Sequence, residues 1–74
     1  MKERIFKVMN EVFDIDNANQ ETSQKNCEKW DSLNHLNLIL ALEEEFDLSF
    51  EPEEISIMKD VPSIERIIKE KQAQ

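Results

Sequence analysis

Ser32 and His35 are the side chains whose types and spacing could support nucleophilic chemistry. Residues three apart on a helix share one face, so the imidazole could take a proton from the serine hydroxyl. A serine hydrolase also needs a group that orients the histidine and donors that stabilise an oxyanion. No orienting group is indicated, and the sequence has no glycine for an oxyanion loop. A small esterase is therefore a minor alternative, and we expect His35 to be a partly exposed helix residue.

Other groups that do chemistry in proteins are scarce. One cysteine and one histidine cannot supply the ligands of most zinc sites. The absence of glycine argues against the dinucleotide-binding fingerprint and the P-loop, because both need backbone conformations that only glycine tolerates. We expect Cys27 to be a loop or half-buried thiol rather than a nucleophile. The composition therefore predicts no metal site and disfavours zinc and nucleotide enzymes.

The chain is strongly acidic, with 17 Asp and Glu against 9 Lys and Arg and a net charge of −8. Residues 30–58 contain no Lys or Arg, and their acids are Asp31, Glu43, Glu44, Glu45, Asp47, Glu51, Glu53 and Glu54. A negative net charge disfavours nucleic-acid binding, which relies on clustered Lys and Arg side chains. It favours partners with basic faces, although an acidic solvated surface also keeps a small protein soluble.

The apolar segments are short. The longest unbroken run covers residues 38–42, far below the roughly 20 residues that span a bilayer. The charged residues after Met1 are not followed by the apolar segment of a secretory signal. We therefore expect no membrane span and a cytoplasmic location.

Helical periodicity predicts the elements that must position these side chains. Apolar spacing in residues 5–13 predicts a first amphipathic helix, and the polar residues 14–29 predict a long loop. A second helix is predicted over residues 32–46, with Asp31 or Ser32 as its N-cap. The serine and the histidine thus fall in the first turn of this second helix.

Two further sequence features predict the third and fourth helices. Pro52 fits the first position of a short helix whose Ile55 and Met58 point inward, and Ser63 is a candidate cap for a last helix. We expect Trp30 to anchor the long loop onto the bundle. The sum is an all-α fold, a small four-helix bundle of three longer helices and one short helix. We expect the whole chain to form one domain and a monomer.

The second helix has two unlike sides. At about 100° per residue, one stripe that we predict to be buried contains Leu36, Ile39, Leu42 and Phe46. Leu33 and Leu40 fall on another flank, beside Asn37 and Glu44. Two exposed leucines on an acidic face predict a docking patch with an apolar centre and a charged rim. A plain solvated surface is the alternative.

The second helix begins with the residues Trp30, Asp31, Ser32 and Leu33. They resemble the acyl carrier protein family, whose modification motif is Asp-Ser-Leu at the start of the second helix. The likeness continues through residues 41–46, which are ALEEEF, and through residues 50–55 and 62–65. The tryptophan before the motif resembles a Trp-Asp-Ser-Leu subgroup of stand-alone carriers.

This resemblance implies that Ser32 carries 4′-phosphopantetheine, transferred from coenzyme A by a magnesium-dependent phosphopantetheinyl transferase. It implies that Asp31 and Leu33 belong to the same site, and that the thiol of the group holds an acyl chain as a thioester. The carrier itself would need no catalytic residue. Acyl-loading and acyl-processing enzymes with basic faces would dock on the second helix, at Leu33, Asn37, Leu40, Glu43 and Glu44.

The resemblance leaves the pathway open. Asn34, His35 and Asn37 stand where carriers of general fatty acid synthesis tend to be more acidic, so a carrier for polyketide, aminoacyl or surface-glycan chemistry fits as well. An alternative from another class is an unmodified acidic helical module that binds a basic partner through the same surface. In that case Ser32 is a plain N-cap.

Overall fold

The computed structural model describes residues 1–73. Its helices are α1 (Lys2–Phe13), α2 (Ser32–Phe46), α3 (Pro52–Ile57) and α4 (Val61–Gln72). Within the described residues the only β pairing is an isolated bridge between Ser23 and Asp60. The predicted all-α class is confirmed, with three longer helices and one short helix. The predicted bounds of α2 and the start of α3 at Pro52 are confirmed as well.

Aspartates close α1 and α2. Asp14 and Asp47 have φ values of 55° and 54°, in the left-handed region that glycine usually occupies after a helix. Aspartate is among the few other residues that tolerate this conformation, and this chain has no glycine. The N–H of Asp47 donates to the carbonyl of Glu43 and so satisfies a carbonyl in the last turn of α2.

One apolar core lies between α1, α2 and α4. Its least exposed members are Ile5, Met9, Phe13, Leu38, Leu42, Met58, Val61, Ile64 and Ile68. The six-residue α3 contains no buried residue, although Phe50 before it and Met58 after it are buried. Ile55, predicted to point inward, is half-buried against the core. Apolar burial therefore holds α3 chiefly at its two ends.

The rotation of α2 about its axis differs from the prediction. Ile39, Leu42 and Phe46 are buried as expected, but Leu36 is exposed and Leu38 is buried instead. The prediction for Leu36 is therefore wrong. Leucines lie on every side of this helix, so periodicity alone does not fix which side faces the core. The half-buried His35 lies on the side of α2 that faces the rest of the fold.

The long loop before α2 is tied to the bundle. Trp30 is buried, and its ring centroid lies 5.4 Å from that of Phe13 in α1. The N–H of Ala18 donates to Asn10 Oδ1 at 3.0 Å, which joins the loop to α1 a second time. The expected anchoring role of Trp30 is thus confirmed, and Cys27 is half-buried as predicted.

Asp60, rather than Ser63, caps α4. Asp60 Oδ1 accepts a hydrogen bond from the Ser63 N–H at 2.9 Å. The prediction for Ser63 is wrong because helical backbone begins at Val61, where an aspartate immediately before it already fills the cap. Hydrogen bonds from the Ser63 hydroxyl and N–H, with a smaller attraction from Arg66, lower the pKa of Asp60.

An ion pair links α3 to α4. Lys71 Nζ lies 2.9 Å from Glu54 Oε1, and both side chains are mostly buried. The pKa of Glu54 is lowered first by a hydrogen bond from the Glu51 N–H and then by Lys71. This pair fastens the middle of α3 to α4.

Candidate functional site

Ser32 is the first residue of α2, and its side chain is exposed. Asp31 before it has extended backbone, and its Oδ1 accepts a hydrogen bond from the Asn34 N–H at 2.8 Å. That bond satisfies one of the N–H groups that a first helical turn leaves without a partner. Asp31 is therefore the N-cap, which settles the choice that the sequence left open. The Ser32 hydroxyl is accessible and is not needed for capping.

Hydrogen bonds join the residues immediately before the serine to residues that follow it. Asn34 Nδ2 donates to the Lys29 carbonyl at 2.8 Å, and the His35 N–H donates to the Asp31 carbonyl at 2.8 Å. The Trp30 indole Nε1–H donates to His35 Nδ1 at 3.0 Å. The start of α2 is therefore held by a polar network, and the serine lies within it.

His35 uses both of its ring nitrogens. Nδ1 faces the Trp30 indole N–H, and Nε2 lies 2.9 Å from the Ile55 carbonyl of α3. An indole nitrogen can only donate and a carbonyl can only accept, so these partners require the neutral tautomer with the proton on Nε2. Neither nitrogen is then free to take a proton from Ser32. The esterase alternative therefore has no geometric support.

The predicted docking residues of α2 fall into two groups. Leu33 and Leu40 are 70% and 64% exposed, as expected, and Leu36 is 56% exposed beside them. Asn37 is exposed and donates from Nδ2 to Asn34 Oδ1 at 3.1 Å. Spacings of three and four residues place the three leucines along one side of the helix. We call Leu33, Leu36 and Leu40 the leucine ridge.

The acidic residues near the end of α2 have different surroundings. Glu43 is half-buried, and its Oε2 accepts a hydrogen bond from the Phe50 N–H at 2.8 Å. Glu45 Oε2 pairs with Arg4 Nε at 2.8 Å. Glu44 is exposed, and it borders a groove of about 440 Å³ whose lining is Val8, Glu11, Val12, Ala41, Glu44 and Glu45. Glu44 is thus the acid of this group most available to a partner.

The sequence did not reveal the roles of Leu36 and His35. Leu36 belongs to the exposed ridge, and His35 connects the loop to α3. The sequence did contain a hint of the role of His35, because Trp30 and His35 are five residues apart and lie on either side of the start of α2. The carbonyl of Ile55 carries no such signal, because its position depends on how α3 packs.

In comparisons with known proteins, no family model and no curated protein matches this chain. A solved structure does match: the solution NMR structure of the holo acyl carrier protein from Geobacter metallireducens. The two chains share 32% sequence identity and superpose with a TM-score of 0.85. The match covers 96% of this chain and 84% of the Geobacter chain.

This agreement extends over nearly the whole fold and combines sequence with structure. The chain belongs to the acyl carrier protein family. Members of this family carry acyl groups and are not enzymes, which accords with a surface serine whose neighbouring histidine has no free nitrogen. No helix among the described residues is long and apolar enough to cross a membrane.

Proposed function

We propose that this protein carries an acyl or related group as a thioester on 4′-phosphopantetheine attached to Ser32. The supporting observation is an exposed serine at the first position of α2, next to a cap that another residue provides. The attached group would supply the thiol, which the half-buried Cys27 is poorly placed to provide. Partner enzymes would load and process the acyl group.

The surroundings of Ser32 fit a phosphodiester. The N–H groups of Ser32 and Leu33 lie in the first turn, where a helix has no carbonyl to pair with them. The helix dipole places partial positive charge at the same end. Asp31 already pairs with Asn34, so part of its negative charge is compensated. These features favour an anionic group on the serine oxygen.

The attachment itself requires a partner enzyme. A phosphopantetheinyl transferase with magnesium would promote attack of Ser32 Oγ on the coenzyme A pyrophosphate. The serine oxygen forms the new phosphodiester bond, the pyrophosphate bond breaks, and adenosine 3′,5′-bisphosphate leaves. Asp31 and Leu33, which flank the serine, are the residues that we propose the transferase contacts.

Intact mass spectrometry tests this attachment. Wild-type protein incubated with coenzyme A, magnesium and a promiscuous transferase should gain one phosphopantetheine, and Ser32→Ala should gain none. Ser49→Ala is the matched control, because Ser49 is also exposed and should leave loading intact. The proposal fails if wild-type protein stays unmodified while a control carrier is loaded.

We further propose that partners dock on α2 through the leucine ridge, Asn37 and Glu44. A ridge of exposed apolar side chains beside carboxylates matches the apolar centre and polar rim of protein interfaces. Glu43 adds negative charge at the edge of this surface, although its carboxylate also holds the Phe50 N–H. Partners with an apolar hollow and flanking Lys or Arg side chains fit this chemistry.

Matched charge reversals test the docking surface. Glu44→Lys should raise the transferase KM for the carrier several-fold at low salt and less at high salt, because exposed charges are screened. Glu70→Lys makes the same change in net charge on an exposed residue of α4 and should have little effect. Equal effects from both variants would show that net charge, rather than this surface, determines association.

The closest rival is an unmodified acidic module that binds a basic partner. It predicts partner binding without phosphopantetheine, so a Ser32→Ala variant that supports the cellular function would favour it. We also propose that residues 1–74 act as one monomeric cytoplasmic domain of the Trp-Asp-Ser-Leu type. One apolar cluster draws on α1, α2 and α4, which supports a single domain, and light scattering would measure the oligomeric state.

A further inference from the structure

Three residues in a row before Ser32 are each bonded to a residue after it. The Lys29 carbonyl accepts from Asn34 Nδ2, and the Trp30 indole donates to His35 Nδ1. Asp31 Oδ1 accepts from the Asn34 N–H. The attachment serine is thus enclosed between two bonded segments, while its own side chain is exposed.

The Trp30–His35 bond differs from the other two because both of its residues also contact other parts of the fold. The tryptophan packs on Phe13 of α1 at a centroid distance of 5.4 Å. The imidazole lies nearly parallel to the indole, with ring centroids 6.2 Å apart and an interplanar angle of 23°. Its Nε2–H reaches the Ile55 carbonyl of α3 at 2.9 Å. The loop, α2 and α3 therefore meet at His35.

This junction is partly removed from water, which raises the cost of breaking its hydrogen bonds. Trp30 is buried, and both His35 and Ile55 are half-buried. Loss of one partner leaves a buried donor or acceptor unsatisfied. The helix α3 contributes no fully buried side chain, so the bond to its Ile55 carbonyl adds to the Glu54–Lys71 ion pair in holding this helix.

We propose that Trp30 and His35 are positioning residues for the modification of Ser32. Neutral His35 accepts from the indole and donates to α3, and it thereby fixes the turn that presents the Ser32 hydroxyl. This inference rests on the proposed attachment at Ser32. Neither side chain contacts the transferred group in this account, because both act through the backbone on either side of the serine.

A displaced nucleophile slows a transfer reaction even when binding is intact, because attack requires a narrow range of geometries. Leu40 and Glu44 lie beyond the first turn of α2, so docking through them does not depend on the Trp30–His35 bond. Loss of the bond should therefore lower kcat of the transferase for this carrier and leave KM for the carrier nearly unchanged. Loss of a docking residue should instead raise KM.

Trp30→Phe is the test variant, since it removes the indole N–H but keeps an aromatic ring against Phe13. We expect a fall in kcat of about three- to tenfold, on the order of the hydrogen-bond energy lost. His35→Phe should give a similar fall, and the double variant should fall no further than either single variant. Leu40→Ala is the contrasting control, with the change in KM.

NMR spectroscopy tests the Trp30–His35 hydrogen bond and the His35 tautomer directly. The chain has one tryptophan and one histidine, so their NMR signals need no assignment among residues of the same type. Long-range ¹H–¹⁵N spectra at neutral pH should show His35 protonated on Nε2 only. The Trp30 indole N–H should exchange slowly with solvent in wild type, and this protection should be lost in His35→Phe.

The outcomes separate the two proposals. If wild type is not loaded, the attachment at Ser32 fails. If wild type is loaded but Trp30→Phe retains the wild-type kcat, the positioning role is overturned. A His35 proton on Nδ1, or additive losses in the double variant, would overturn it as well.

Discussion

The two halves of α2 are held in the fold by different forces. Residues 32–37 contribute no buried side chain, and they are held in place by hydrogen bonds that involve Asp31, Asn34 and His35. Residues 38–46 contribute Leu38, Ile39, Leu42 and Phe46 to the core. The difference shows how a single helix can display a serine at one end while the other end anchors the domain.

This division also separates the consequences of substitution. Apolar burial contributes roughly 25 cal/mol per Å², so the second half of α2 should dominate stability. A single hydrogen bond contributes only about 0.5 to 1.5 kcal/mol net. Changes in the first half should therefore alter presentation of Ser32 more than they alter folding.

Leu42→Ala should have the largest effect on stability. Leu42 is completely buried among α1, α2 and α4, and truncation of such a leucine costs about 2 to 5 kcal/mol. A domain of this size has little stability to spare, so we expect a large fall in Tm and a substantial unfolded fraction at 37 °C. Urea titration followed by circular dichroism measures this, and a loss below 1 kcal/mol would contradict the assigned core.

Asp31→Ala should have an intermediate effect. Loss of an N-cap costs about 1 kcal/mol, which corresponds to a fall in Tm of roughly 4 to 8 °C in a domain of 60–100 residues. Asp31→Asn keeps a side chain that can cap, so it should retain most of the stability. If Asp31→Asn is stable but is loaded poorly, the transferase contacts the carboxylate itself. Full loading of Asp31→Asn would limit Asp31 to its capping role.

The general plan of the fold could be predicted from the sequence because local signals agree. The spacing of apolar residues predicts α1 and α2, and Pro52 marks the start of α3. The rotation of α2 could not be predicted, since leucines surround it and only contacts with other elements decide between Leu36 and Leu38. The prediction of Ser63 as the cap of α4 was wrong for a related reason. Asp60 and Ser63 are both good capping residues, and the residue at which helical backbone begins decides which of them is the N-cap.

The candidate site was predictable in part. The Trp-Asp-Ser-Leu segment indicated the serine, and the flank of Leu33 and Leu40 indicated an exposed surface. The bond between His35 and the Ile55 carbonyl could not be predicted, because the two residues are 20 positions apart and a main-chain acceptor leaves no trace in the sequence.

Low pH should weaken the hydrogen bonds of the Asp60 cap while the apolar contacts of the core remain. The lowered pKa of Asp60 means that its carboxylate stabilises the folded state above its ordinary pKa of about 3.8, and that this contribution is lost as pH falls through the folded-state value. Asp60→Asn can also cap α4 but does not titrate. Wild type should therefore be the more stable of the two at pH 6, and the difference in Tm should shrink toward pH 3. A constant difference across this range would show that Asp60 does not titrate as described.

Leu36→Ala should have the smallest effect on stability and gives the sharpest test of the contrast between the halves. The same substitution six positions later, Leu42→Ala, opens a cavity in the core. Leu36 is exposed, and alanine is at least as good a helix former as leucine, so the free energy of unfolding should change by no more than about 0.5 kcal/mol. The burial predicted by periodicity would instead cost about 2 to 5 kcal/mol. Urea titration of both variants under one set of conditions decides between these two rotations of α2. Only the rotation seen in the structure leaves Leu36 free to contact a partner.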